Sequence, residues 1–494
     1  MHSDLFKNES VYDQDTIDRY LWQTERTTSI SRRRFLHLMA AGLGAAAGAT
    51  PGTIGLAKTD HVPVVQPTPA GLFIDQNMAK NIVICSDGTG NWAGDAHPSN
   101  IYELCKLLDV DNDKVQIACY DPGVGTNVDK NAIAHLRRSQ KNLKIFDDPP
   151  SMMPPWVRTY LGLAGGYGLE ENLKQLYGYL VEKYAEGDNI YLFGFSRGAF
   201  TVRALAGMLC RCGVLKDIKL FSEAHDRCKI HYEEIEQTKS KDERKRVEDE
   251  HKEFKRLNGK PCKVKFLGIW DTIKSYGYLL PQSRAHTRHN EIVLTVRHAL
   301  SIDERRKFFE QTHWGGLDDD PTDSTHECNP PSSDQNVQDV QEVWFVGDHS
   351  DVGGGHEDGK NGLAQIALKW MINEAVNAPQ VDKEDNLKLL CNKNTLGKLS
   401  PIKRHDKLEE QFWKYMQQAP RKEMINCPYP QTSDWTRKSS GRRDIRKSKR
   451  NGKVLLHSSV IQCYSDSEKL ERWCSIVPDP NQFTLIDTGE YVDK

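Results

Sequence analysis

The chain has 494 residues, enough for one large α/β domain with appendages or for two domains. Its 67 basic and 69 acidic residues leave a net charge of −2, which removes any bulk attraction to nucleic acid. A mean hydropathy of −0.65 with 28% charged residues describes a soluble body carrying long polar insertions, and twelve cysteines without a single C-x-x-C argue against a structural zinc site.

The first thirty residues are polar and carry no recognisable element. Ser31-Arg32-Arg33-Arg34-Phe35-Leu36 then leads into an uncharged, Ala/Gly-rich run reaching Ala57. This is the pattern of a twin-arginine export signal, with small residues for cleavage at Ala47-Gly48-Ala49 and Gly55-Leu56-Ala57. A periplasmic or secreted protein is expected. The alternatives are a cytoplasmic protein with a basic turn before an Ala-rich helix, and an inner-membrane anchor. The anchor is disfavoured because alanine and glycine gain little on transfer into lipid. Residues 1–57 are therefore read as an N-terminal extension and the proline-rich residues 58–79 as a linker.

The body begins at the apolar strand Asn81–Cys85, which runs into Ser86-Asp87-Gly88-Thr89-Gly90-Asn91. A glycine-bearing loop directly after a buried strand lets backbone approach a ligand closely. No Gly-Lys-Ser/Thr follows, so this is not a phosphate loop. A helix is predicted over 101–108, a strand over 115–120 and a second glycine loop at Asp121–Thr126. Residues 149–156, with two Pro-Pro pairs around Met152, Met153 and Trp156, suit a flap or a solvated loop. An amphipathic helix follows, with Leu173, Leu176, Tyr177, Leu180, Val181 and Tyr184 on one face.

The chain is organised around Asn189-Ile-Tyr-Leu-Phe-Gly-Phe-Ser196-Arg-Gly-Ala-Phe200. An apolar strand ends in G-x-S-x-G, and apolar residues then recur at helical spacing at Ala199, Val202, Ala206 and Leu209. Strand, G-x-S-x-G, helix is the context of a nucleophile elbow. A serine on so sharp a turn needs neighbours without bulk, and its hydroxyl then stands at a helix N-terminus where free N–H groups can hold an oxyanion. The backbone N–H groups of Arg197 and of Gly88 or Thr89 are the expected donors.

Residues 216–260 are rich in Lys, Glu, Asp and Arg and read as exposed inserted helices. Cys262–Trp270 returns to strand pattern and delivers Asp271, residues 280–342 look loop-rich, and Val343–Val346 is a last strand before Gly347-Asp348-His349-Ser350-Asp351. Strands separated by helices imply a parallel sheet with its site at the strands' C-terminal ends. Ser196, Asp271 and His349 each follow a predicted strand, in the order Ser…Asp…His expected of α/β-hydrolases. In that arrangement His349 takes the Ser196 proton, and Asp271 orients the imidazole and stabilises its cation. Asp348 and Asp351 are rival acids and His457 is the leading rival base.

Five motifs occur in one order: Ser86-Asp-Gly-Thr-Gly-Asn91, Gly123-Val-Gly-Thr126, Gly194-Phe-Ser196-Arg-Gly-Ala199, Gly268-Ile-Trp-Asp271-Thr272 and His349-Ser-Asp-Val-Gly-Gly-Gly355. Together, over roughly residues 80–375, they resemble the uncharacterised α/β-hydrolase family that contains the first class of type VI secretion phospholipase effectors. The resemblance implies a Ser-Asp-His hydrolase of carboxylic esters, with glycerophospholipids as substrates of some members, and no cofactor. The signal-like N-terminus departs from it, since delivery through a secretion needle requires no such signal.

The expected organisation is an α/β-hydrolase-like domain over 80–376, its mostly parallel sheet flanked by helices and carrying inserted helices at 216–260, with a C-terminal extension over 377–494. Within that extension Thr436–Lys453 holds nine Lys/Arg against one acid, a solvated loop or a contact for anionic membrane headgroups. Two other functions compete with the esterase. A metal-dependent hydrolase would use His349, Asp351, His356 and Asp87, although no H-E-x-x-H spacing supports it. A non-catalytic envelope module would keep the fold for binding alone.

Overall fold

Short apolar runs that cannot face water on either side dictate the centre of the molecule. In the computed structural model, residues 79–88, 98–123, 130–146, 169–228, 241–273, 290–304, 306, 309, 312–314, 338–356, 362–378, 386–390, 454–460 and 483–486 are described. The runs become strands β1 (Asn81–Ser86), β2 (Gln116–Asp121), β4 (Asn189–Phe195) and β7 (Val264–Trp270). β1, β2 and β4 are buried along their whole length, as strands covered by helices on both faces must be. With β3 (Leu143–Ile145), β8 (Val293–Ser301), β9 (Asp339–Phe345), β10 (Val454–His457) and β11 (Phe483–Ile486) they form one sheet, in the order β11-β10-β9-β8-β7-β4-β1-β2-β3. Every adjacent pair in it is parallel. A second, two-stranded antiparallel ribbon joins β5 (Val214–Leu215) to β6 (Gly259–Lys260).

The order decides where a site can form. From β1 the chain moves outward through β2 to β3, then returns to the other side of β1 at β4 and continues outward through β7, β8 and β9. Connections therefore diverge between β1 and β4, and an open crevice lies beyond the strands' C-terminal ends at such a point. Helices α1 (Asn100–Leu107), α2 (Lys130–Ser139), α3 (Leu169–Lys183), α4 (Arg197–Cys212) and α5 (Lys241–Asn258) connect the strands, with α6 (His349–Gly353) and α7 (Gly362–Val376) after β9. α3, α4 and residues of α5 enclose the main apolar cluster with Ile82, Leu192, Leu267 and Val296 of the sheet.

Three differences from the sequence reading have physical causes. β8 crosses a stretch that reads as loop because Arg297 and His298 interrupt its apolar pattern. Both are buried, Arg297 between Asp339 and Glu374 at 2.6 and 2.5 Å and His298 against Glu342 at 2.8 Å. In the region over 216–260, read as exposed, residues 221–228 and α5 are helical and bury Phe221, Ala224, Val247 and Phe254. β10 and β11, from the 377–494 extension, pair onto the same sheet. The signal-like segment, the 149–156 loop, Thr89 and the basic run at 437–453 lie outside the described residues. Among the described residues no helix is long and apolar enough to cross a membrane.

Candidate active site

Ser196 follows β4 directly and takes φ 56° and ψ −117°, and Asp271 follows β7 at φ 38°. They are the only non-glycine residues with positive φ among the described residues. Such conformations cost on the order of 1–3 kcal/mol each and persist where the surroundings fix them, most often at functional sites. Here the surroundings do fix them. The Ser196 amide donates to the Trp270 carbonyl at 3.0 Å, which ties the two turns together across the β4/β7 pair. The glycines flanking Ser196 meet the steric need read from the motif. A Cβ on Gly194 would lie 2.6 Å from the Gly198 carbonyl oxygen, and one on Gly198 would strike the Ser86 carbonyl oxygen.

His349 opens α6 just past β9, where Asp348 caps the helix with its carboxylate on the amides of Ser350 and Asp351. Its Nδ1 lies 2.6 Å from Oδ2 of Asp271. The Asp271 carboxylate also accepts from the Ser301 amide at 3.0 Å and the Ser301 hydroxyl at 3.1 Å, so it is buried yet well supplied with donors. The imidazole packs on Phe195, the residue before Ser196, with ring centroids 4.6 Å apart. Phe309 meets it edge-on at 5.0 Å, and the Arg306 guanidinium covers Phe309 at 3.6 Å. The His349 amide donates to Glu304, whose carboxylate also holds Arg306. Ser196, Asp271 and His349 thus leave β4, β7 and β9 on one rim of the sheet, with an aspartate–imidazole hydrogen bond already formed.

The family described as T6SS, phospholipase effector Tle1-like, catalytic domain has a model that matches residues 80–374. The chain belongs to that family. An uncharacterized protein of Saccharomyces cerevisiae, YEL023C, is 33% identical over 237 residues, 48% of this chain and 33% of its own length, so the chain matches about a third of that curated relative. A crystal structure of an uncharacterized protein from Pseudomonas aeruginosa aligns at 19% identity with a TM-score of 0.36, covering 65% of this chain and 49% of that one.

The rival residues have other partners. Asp351 closes the cap of α6 on the Asp348 amide and lies 3.2 Å from His356, rather than on His349. His457 ends β10, four strand positions from β4, which puts it about 19 Å from the Ser196 turn at ordinary strand spacing. There it stacks on Phe345 and bonds Ser459. Asp87 is taken up by the Ser99 and Tyr120 hydroxyls and by the Gly88 amide at 2.7 Å, so that amide is committed to a carboxylate. The four-residue metal set His349, Asp351, His356 and Asp87 is therefore not assembled. Among the described residues, Asp348, Asp351 and His356 alone bring three ligand atoms together, within 4.8 Å. Burial works against charge on His356, but its bonds to the two aspartates prevail and raise its pKa to about 9.

Sequence reasoning missed Ser301, Glu304 and His298. Burial lowers the pKa of His298, and the Thr272 amide donates to its Nε2 at 3.2 Å. Nδ1 then carries the proton and donates to Glu342, which fixes the backbone just past Asp271. All three residues sit in or beside the strand hidden by its charged side chains.

Proposed function

We propose that the chain is a serine hydrolase of carboxylic esters, acting on lipid acyl esters and on phospholipids in particular. The observation that carries this is the 2.6 Å contact between His349 Nδ1 and Asp271, at the rim where Ser196 occupies its strained turn. Membership in a family described by a phospholipase effector supports the lipid substrate.

With Nδ1–H given to Asp271, the Nε2 lone pair of His349 is available as base. Ser196 attacks the ester carbonyl as His349 takes its proton, and the Arg197 amide at the first position of α4 faces the developing oxyanion. The imidazolium returns the proton to the departing alcohol, and water repeats the sequence on the acyl-enzyme. Asp271 stays ionised throughout and stabilises the imidazolium. Export by the Ser31–Leu36 segment completes the reading and would place the enzyme outside the cytoplasm.

Fluorophosphonate labelling with peptide mapping, beside a panel of phospholipids, tests the proposal. The label is expected on Ser196, and Ser196→Ala is expected to lower kcat by at least about 10³-fold with an unchanged melting profile. Undiminished ester cleavage in that variant would remove the mechanism.

A further inference from the structure

Four arginines are buried among the described residues: Arg197, Arg203, Arg297 and Arg306. Three of them have evident partners. Arg203 donates to the Thr312 and His313 carbonyls and covers Trp314, Arg297 bridges Asp339 and Glu374, and Arg306 forks onto Glu304. Arg197 is the exception. It is 9% exposed, its Nη2 is buried without a hydrogen-bond partner, and no carboxylate among the described residues pairs with it. Burial alone, unopposed by any neighbouring charge, pushes its pKa down to about 9, so it is still a cation at neutral pH.

An enclosed, uncompensated guanidinium is costly, by several kcal/mol per ion even after relaxation. Helix propensity does not call for it, because alanine or leucine would serve the helix at least as well. Its position gives the reason. Arg197 is the residue after Ser196 and the first of the 16-residue helix α4, whose free amides and dipole also favour an anion there. The planar fork of a guanidinium matches the paired oxygens of a phosphate. In a glycerophospholipid the phosphodiester is separated from the acyl ester carbonyls only by the glycerol backbone, so an ester held at Ser196 brings its phosphate within an arginine's length.

We infer that the Arg197 guanidinium is the receptor for the substrate's phosphodiester, making glycerophospholipids rather than neutral acylglycerols the preferred substrates. This rests on the serine-hydrolase reading of the same rim. It adds that the missing partner of a buried cation arrives with the substrate, which offsets its desolvation only in the complex.

The test compares dihexanoylphosphatidylcholine with dihexanoylglycerol, both below their aggregation limits, for the wild type, Arg197→Gln and Arg197→Lys. The ratio of the two kcat/KM values is the readout, so any common effect of the substitution on ester chemistry cancels. Loss of charged hydrogen bonds should lower that ratio by about 10- to 100-fold in Arg197→Gln, with partial recovery in Arg197→Lys. A second measurement needs no variant. sn-Glycero-3-phosphocholine should inhibit wild-type cleavage of p-nitrophenyl butyrate competitively where glycerol does not, and inorganic phosphate at equal concentration should inhibit less if the diester is the natural ligand. An unchanged ratio in Arg197→Gln, or inhibition by glycerophosphocholine no greater than by glycerol, would overturn the assignment while leaving the hydrolase intact. A wild type that neither labels at Ser196 nor cleaves any ester would overturn both.

Discussion

Asp271 shows how a single carboxylate is made to serve an imidazole. Its two oxygens receive the Ser301 amide, the Ser301 hydroxyl and His349 Nδ1, so a fully buried carboxylate is supplied with hydrogen-bond donors. Asp271→Asn keeps the shape, but its amide N–H turned to Nδ1 forces the wrong tautomer, and its carbonyl turned to Nδ1 lacks the charge and sets the NH2 against the Ser301 amide. Its kcat should fall by about 10⁴-fold. Ser301→Ala removes one neutral donor and leaves the amide, so its loss should be nearer tenfold, about 1 kcal/mol. Steady-state kinetics on a p-nitrophenyl ester measures both, and a Ser301 effect as large as that of Asp271 would contradict the division of roles. Ser196 and Asp271 were legible because each directly follows a mainly apolar strand, broken in β7 only by Lys265. Ser301 was not legible, since a serine after Arg297 and His298 looks like loop until the partners of those two charges are known.

At the scale of an element, α6 is five residues long and cannot hold itself together. Side chains do so instead: Asp348 and Asp351 form a reciprocal cap, and His356 spans both carboxylates at 3.0 and 3.2 Å. Burial opposes the His356 charge and the two aspartates more than offset this, which raises its pKa from 6.5 to about 9. A group whose folded pKa is raised contributes stability that is complete below its unfolded pKa and is lost as pH rises through the folded one. The wild type should therefore lose on the order of 3 kcal/mol between pH 7 and pH 10 from this residue. In His356→Gln that component of the slope should vanish. Urea unfolding across the range checks it, and parallel pH profiles for the two proteins would refute the cap's dependence on the proton. From sequence, His349 through Gly355 was readable as a strand-to-helix turn. The role of His356 was hidden, because nothing local reveals that two neighbouring carboxylates converge on it.

For the whole molecule, the sheet order explains why residues 75 or more positions apart can share a rim. β1 sits between the two directions of winding, and every strand that delivers a site residue, β4, β7 and β9, lies on one side of it. β9 would be the edge of that side if the chain ended after α7. Instead β10 and β11 pair beyond it, with Leu456 fully buried opposite Trp344 and His457 stacked on Phe345. An unpaired β9 would expose backbone donors and acceptors beside the turn that carries His349, and would invite pairing with another chain. The C-terminal strands thus protect the geometry of the rim without contributing to its chemistry. Leu456→Ala tests this, because it hollows the β9–β10 contact about 19 Å from the Ser196 turn. It should cost about 2–4 kcal/mol and lower the Tm by several degrees. Below the new transition, fluorophosphonate labelling of the folded fraction should keep its wild-type rate. A labelling rate that falls well below the wild-type value at temperatures where the variant is fully folded would instead mean that these strands shape the rim directly.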